Sequence, residues 1–228
     1  MWRSSLQVFS LLQSNMKKSA FILLLISTVI VSYAQTGFTP ATESQQKEMT
    51  QIITETSANL KTLRCDFVQK KTVSILSEVM ISEGRMFFKQ KEKLRWEYTK
   101  PELYEFVMNG DKVMTYSGNT KNVMNLNSSK MFRKISKIIV SGIIGSGIFD
   151  ATTFTAKFFV GAKENLVALT PKQKELKQMV KEIRICFNKT DYLVNSVEIE
   201  ELNGDKTLIE MKNKQINIEL SDEVFSVR

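Results

Sequence analysis

The sequence predicts an α+β protein that is mainly β: a strongly curved or incompletely closed antiparallel sheet of about eleven strands, with helices against its open side. Three observations carry this. Period-two alternation of apolar and polar residues recurs between residues 64 and 211. The turns between these runs are short, Asn109-Gly110 and Asn203-Gly204 the clearest, so successive strands pair antiparallel. Only two segments, at about 42–60 and 128–150, carry helical spacing instead. So many strands cannot stay flat; they curl or split.

The chain opens with Met16-Lys17-Lys18, a basic run, then a mostly apolar block from Ala20 to Val31, then Ser32-Tyr33-Ala34 before Gln35. This is the three-part layout of a secretory signal. The block is shorter than the roughly 20 residues of a membrane-spanning helix. Residues 1–34 are therefore expected to be removed on export, with the true start at Met16, leaving 35–228 as one domain. An uncleaved anchor is the alternative. The site is followed by Gln35 and the first cysteine is Cys65, so no lipid-bearing cysteine succeeds it. The product is expected to be soluble in the periplasm.

Residues 36–42 read as a polar leader. Thr42 or Ser44 can cap a helix running to about Leu60, with Met49, Ile52, Ile53, Thr56 and Leu60 on one stripe. Strands follow at Arg64–Val73, around Val79 and Ile81, from Gly84 through Phe88, and at Lys93–Tyr98. In the last, Leu94, Trp96 and Tyr98 share one face and Lys93, Arg95 and Glu97 the other. Tyr104–Met108, Asp111–Tyr116 and Asn122–Leu126 continue the series. Between 128 and 150, Met131, Ile135, Ile138 and Ile139 form a helical stripe; Gly142, Gly145 and Gly147 then make a poor regular helix. Strands resume at Thr153–Val160, Leu166–Leu169, Lys181–Phe187, Leu193–Glu200 and Lys206–Met211. Val224–Val227 is the last strand candidate.

Composition excludes several chemistries. The chain has 32 Lys+Arg against 24 Asp+Glu, a net charge of +8. Arg3, Lys17 and Lys18 fall in the segment expected to leave. The remaining basic residues do not cluster between aromatics, so nothing points to nucleic acid. With no histidine, Ser-His-Asp and Cys-His nucleophile systems and His-ligated zinc are ruled out. Cys65 and Cys186 either pair in an oxidising compartment or sit as two small buried hydrophobes. Gly142, Gly145 and Gly147 reverse the dinucleotide fingerprint and lack the P-loop lysine. Glu97, Glu102 and Glu105 could suggest paired-carboxylate hydrolysis, but Glu97 is on the polar strand face. Asn127-Ser128-Ser129 matches a glycosylation sequon of low specificity. No catalytic residue, metal or cofactor is indicated.

An ordered set of residues resembles a known family. Phe67-x-Gln69, Gly84, Leu94-Arg95-Trp96-x-Tyr98-x-x-Pro101, Phe106-Val107-x-Asn109-Gly110-Asp111-x-Val113-x-x-Tyr116, Leu166 to Lys172 and a closing Phe225 are similar to the periplasmic outer-membrane lipoprotein carrier proteins, the LolA family. The resemblance covers nearly all of the chain after residue 35. It implies an unclosed β-barrel under a helical lid that shields lipoprotein acyl chains. It implies a monomer whose partners are acylated lipoproteins, an inner-membrane ABC transporter that releases them, and an acceptor or membrane surface at the outer membrane. A carrier of another lipid or glycolipid on the same scaffold is the alternative.

Met86, Phe88, Leu94, Trp96, Tyr98, Phe106, Met108 and Val113 occupy alternating strand positions. With Ile138, Ile139, Ile143 and Ile144 they either fill a core or, as the resemblance favours, line a lipid site and the underside of its lid. The family often has Arg-Pro after the strand that begins at Gly84, an arginine linked to holding the lid. Here Gln90-Lys91 stand there, and Arg95 or a nearby lysine is the candidate substitute for lid control.

Overall fold

The computed structural model describes residues 37–76, 78–118, 120–125, 140–142, 144–145 and 147–226. The expected export signal, Met131, Ile135, Ile138, Ile139 and Ile143 lie outside the described residues, as does the sequon at Asn127. The described chain forms β1 (Phe38–Pro40), α1 (Glu43–Asn59), β2 (Thr62–Val73), β3 (Glu78–Lys89), β4 (Lys93–Lys100), β5 (Tyr104–Asn109), β6 (Lys112–Ser117), β7 (Thr120–Asn125), β8 (Phe154–Gly161), β9 (Glu164–Pro171), α2 (Lys174–Lys177), β10 (Val180–Asn188), β11 (Val194–Glu201), β12 (Lys206–Ile216) and a 3-10 turn, Asp222–Phe225.

The strands make one 12-stranded sheet in the order β1-β8-β9-β10-β11-β12-β2-β3-β4-β5-β6-β7. Every pairing is antiparallel. β1 and β7 end the order and do not pair with each other among the described residues, so the sheet is unclosed. Chain-sequential hairpins build two halves, β2 to β7 and β8 to β12. The seam between them is β12 on β2, nine residue pairs from Lys206↔Thr72 to Ile216↔Leu63.

Local chemistry explains α1. Thr42 caps it: its Oγ1 accepts the Gln45 N–H at 3.3 Å, and Gln45 Oε1 accepts the Thr42 N–H at 2.9 Å. This reciprocal box satisfies two donors that would otherwise be orphaned at the helix start. The buried stripe is Met49, Ile53 and Ser57, continued by Leu60; Ile52 and Thr56 sit at its margin.

Four expectations are corrected. The runs around Val79–Ile81 and Gly84–Phe88 are one continuous strand, β3, with a register shift against β4 at Glu83/Gly84. A Cβ on Gly84 would lie 2.5 and 2.8 Å from Phe67 ring atoms, so this glycine admits a neighbouring ring rather than starting a strand. The β5–β6 turn is Gly110-Asp111, one residue later than Asn109-Gly110, because Asn109 already pairs with Lys112; Gly110 carries the positive φ of 58°. The leader contains β1, which adds to β8. Val224–Val227 is not a strand through Phe225: Ser221 Oγ accepts the Glu223 N–H and starts the 3-10 turn.

Candidate functional site

The inward face of the sheet is built by alternation. On β2 it carries Leu63, Cys65, Phe67 and Gln69; on β3, Gly84, Met86 and Phe88; on β4, Leu94, Trp96 and Tyr98; on β5, Phe106 and Met108; on β6, Val113. Register aligns them into rows: Cys65 opposite Met86 opposite Trp96 opposite Phe106, and Leu63 opposite Phe88 opposite Leu94 opposite Met108 opposite Val113. All eight strand residues singled out by sequence therefore share one face. Met86, Phe88, Leu94, Trp96, Met108 and Val113 are buried in one cluster, with Tyr98 and Phe106 packed against it.

The same cluster holds residues that the sequence analysis placed on elements but not in the candidate site. Met49, Ile53 and Leu60 enter it from α1, Val167 and Leu169 from β9, and Ile183, Ile185 and Phe187 from β10. The late strands complete the wall. Their period-two spacing at 183, 185 and 187 was the available signal.

Aromatic rings run along this face from the interior to its rim. Phe67 lies 4.3 Å from Trp96 and 5.2 Å edge-on from Tyr98, and Tyr98 is 5.9 Å from Tyr104. Tyr98 Oη donates to Gln69 Oε1 at 2.9 Å. Burial pushes the Tyr98 phenol above its ordinary value, although the Trp96 indole faces its oxygen and favours the ionised form. The indole approaches Tyr98, yet among the described residues the buried Trp96 Nε1 has no hydrogen bond of normal geometry. A buried donor left unpaired costs about 1–3 kcal/mol.

Two covers meet over this face. Segment 140–149 places Val140, Ile144, Ile148 and Phe149 in or against the cluster, and Phe149 stacks on Phe158 at 5.7 Å. It is helical at 140–142 and at 144 and then broken by Gly145 and Gly147, at φ 75° and 65°, as the glycine spacing predicts. Ser57 Oγ lies 2.7 Å from Ile53 O and 2.9 Å from Ile144 O; its one proton serves either carbonyl. A Cβ on Gly145 would come within 2.8 Å of Phe187 and 3.3 Å of Ser57 Oγ. The two covers are thus in contact through a buried hydroxyl and a glycine.

Gln90 also touches a cover. Its Nε2 donates to Ala58 O at 3.1 Å, and its backbone N–H to Lys61 O at 2.8 Å, so it holds the C-terminal end of α1. Lys91 follows at φ 69°, a conformation proline cannot adopt. The Gln-Lys pair is therefore consistent with its own turn.

Arg95 is on the other face. Its Nη2 meets Glu105 at 2.8 Å, its Nε is 3.7 Å from Glu97, and its Nη1 donates to Val224 O at 3.4 Å. Arg85 joins Glu97 at 3.4 Å. Glu97 and Glu105 are directly opposed in register; the two arginines offset their repulsion. Arg95 thus serves β4, β5 and the C-terminal 3-10 turn, and it faces away from α1. Among the described residues its bonds go to these elements and not to α1.

Cys65 and Cys186 are free thiols. Cys65 belongs to the inward cluster, whereas Cys186 packs against a second one of Phe159, Leu166 and Ala168. Of the two alternatives open in the sequence, the structure has unpaired thiols, Cys65 buried and Cys186 half-buried.

Residues 58–228 match the profile of a family described as "Outer membrane lipoprotein carrier protein LolA". An outer-membrane lipoprotein carrier protein of Pseudoalteromonas translucida is 22% identical over 210 residues, covering 92% of each chain. One from Francisella tularensis subsp. tularensis is 25% identical over 173 residues, covering 75% of this chain and 78% of its own. A LolA-superfamily crystal structure from Nitrosomonas europaea matches 77% of this chain and 96% of its own, with 10% identity and a TM-score of 0.44.

Proposed function

This chain belongs to the outer membrane lipoprotein carrier (LolA) family, and from that premise we propose that it is a periplasmic carrier, without catalysis, that shields the acyl chains of lipoproteins against the inward face of its sheet. Residues 1–34 are its export signal in this reading. It receives cargo from an inner-membrane ABC transporter and gives it up at the outer membrane.

The observation that carries the reading is the inward wall itself. A row of apolar and aromatic side chains from β2 to β6 is closed by two covers that are not part of the sheet, and one indole N–H within it has no hydrogen bond of normal geometry among the described residues. Covers can move without breaking strand ladders. An acyl ester carbonyl would satisfy the orphaned donor.

Magnitudes support a carrier rather than a permanent host. Each buried methylene is worth roughly 0.8 kcal/mol, so three long chains packed perfectly would exceed the roughly −18 to −21 kcal/mol at which non-covalent binding saturates. Reversible carriage requires imperfect packing. It also requires that separating the covers offset part of the gain. Met86 and Met108 on the wall and Met49 on α1 are flexible side chains suited to an irregular guest.

The test is uptake of a fluorescent acyl probe and its displacement by a purified lipoprotein. Trp96→Glu puts a charge on the wall and is expected to weaken probe binding about tenfold or more. Trp96→Phe keeps the ring and removes only the orphan donor; an ester-bearing probe should bind it less well than the wild type, a hydrocarbon probe equally. Unchanged uptake by Trp96→Glu, in a protein that still melts cooperatively, overturns the assignment of this face.

A further inference from the structure

β2 and β3 run on as a hairpin past the end of β4, whose pairing with β3 stops at Glu83↔Lys100 while β2–β3 pairing continues to Val73↔Glu78. The end of this hairpin is apolar and open to solvent. Ile75 is 87% exposed and Leu76 61%, and Val79, Met80 and Ile81 beside them are each about half exposed. Val79 and Ile81 point to one side and Met80 to the other, so both faces of the tip carry exposed apolar side chains. Leu202, exposed on the adjacent β11–β12 turn, extends the patch.

The two turns brace each other. Asp205 Oδ1 accepts the Ser74 N–H at 2.9 Å, and Ser74 Oγ donates to Asn203 O at 2.9 Å. The aliphatic groups are held out by this framework. Folding gains nothing from them where they stand, and exposed patches of this kind mark contact with a protein or a membrane.

We propose that this double-hairpin tip inserts into the headgroup–hydrocarbon boundary of a phospholipid bilayer. A protein partner would be expected to cover one side, whereas lipid surrounds a projection evenly. The charges at its base are matched: Lys70 lies 2.9 Å from Glu210 and Lys71 4.0 Å from Glu201. Attraction to anionic lipid is therefore not the driving force; burial of hydrocarbon is. The same end of β4 carries Tyr98 and its neighbour Tyr104, so insertion brings the rim of the aromatic row to the lipid surface. This goes beyond carriage of cargo and does not require it.

The test is flotation of the exported chain with phosphatidylcholine vesicles at low and high salt. The wild type should float equally in both. Ile75→Asp/Leu76→Asp should lose about tenfold or more of the bound fraction, and Leu202→Asp, an independent change, a smaller part. These positions are exposed, so melting temperature should hold, and the double variant should bind the acyl probe as the wild type does. That separates failure of docking from failure of carriage. The proposal is overturned by equal flotation of wild type and double variant, or by a wild type that does not float. It is equally overturned by flotation confined to phosphatidylglycerol vesicles and reversed by salt, or by a wild-type dimer that the double variant dissolves.

Discussion

Gly84→Ala should be among the most damaging single-methyl additions in this fold. The new Cβ would sit 2.5 and 2.8 Å from Phe67 ring atoms and closer still to the Glu97 carbonyl oxygen, where carbon contacts are comfortable at about 3.5–4.0 Å. Neither neighbour can yield freely. The Phe67 ring is held by Trp96 at 4.3 Å and Tyr98 at 5.2 Å. The carbonyl belongs to the β4 backbone, beside the register shift at Glu83/Gly84. Overpacking of this kind costs about 1–3 kcal/mol, and a clash against backbone puts the value at about 3. For a chain of this size each kcal/mol moves the melting temperature by roughly 2–4 °C, so a fall of about 6–12 °C is expected. Urea and thermal unfolding measure it. Phe67→Leu in the same background should lessen the added cost by about 1 kcal/mol, the coupling expected of residues in contact. A melting temperature within about 1 °C of wild type, with no coupling to Phe67, would refute the reasoning.

Two titrations follow from the same geometry. Burial, then the neighbouring Asp66, pushes the Cys65 thiol from 9.0 up to about 12. The folded state keeps this proton where the unfolded chain loses it, so stability should fall as pH rises from about 9 to about 12. The slope is at most about 1.4 kcal/mol per pH unit, and Cys65→Ala should flatten it in urea titrations. Asp222 behaves in the opposite sense: hydrogen bonds from Lys89 and Lys93, at 2.6 and 3.0 Å, hold its carboxyl at about 2. Its tethering is complete above about pH 4 and lost as pH falls towards 2. Amide exchange at Val224 and Ser226 should accelerate over that interval, and Asp222→Asn should remove the pH dependence.

Much of the architecture is legible because its causes are local. Thr42 and Gln45 cap α1 within four residues of chain, and alternation sorts Leu94, Trp96 and Tyr98 from Arg95 and Glu97 without knowledge of any partner. The same alternation places Arg95 opposite the wall, so its outward position is itself a sequence-level deduction. What is not legible depends on distant chain. Phe38–Pro40 is a strand only because Phe159 to Gly161 lies beside it. The Val224-Phe225-Ser226 run alternates like a strand. It is turned aside by the Ser221 cap and by two contacts, Asn109 Nδ2 donating to Phe225 O and Arg95 to Val224 O. The buried Ser57 is polar, so a hydrophobic stripe passes over it; its role appears only when Ile144 O arrives.

The β12–β2 seam sets an order of events for a chain that is made from its N-terminus. Asn213 and Asp66, bonded across this seam, are 147 positions apart. β2 to β7 can zip as neighbours soon after they emerge, yet β2 keeps an unmatched flank until nearly the final segment of polypeptide has been delivered. Pairings of such long sequence separation form slowly, because loop-closure entropy precedes the reward. During that interval the nascent molecule offers a naked, ladder-ready border, which makes early synthesis the moment when it most depends on protection by other proteins.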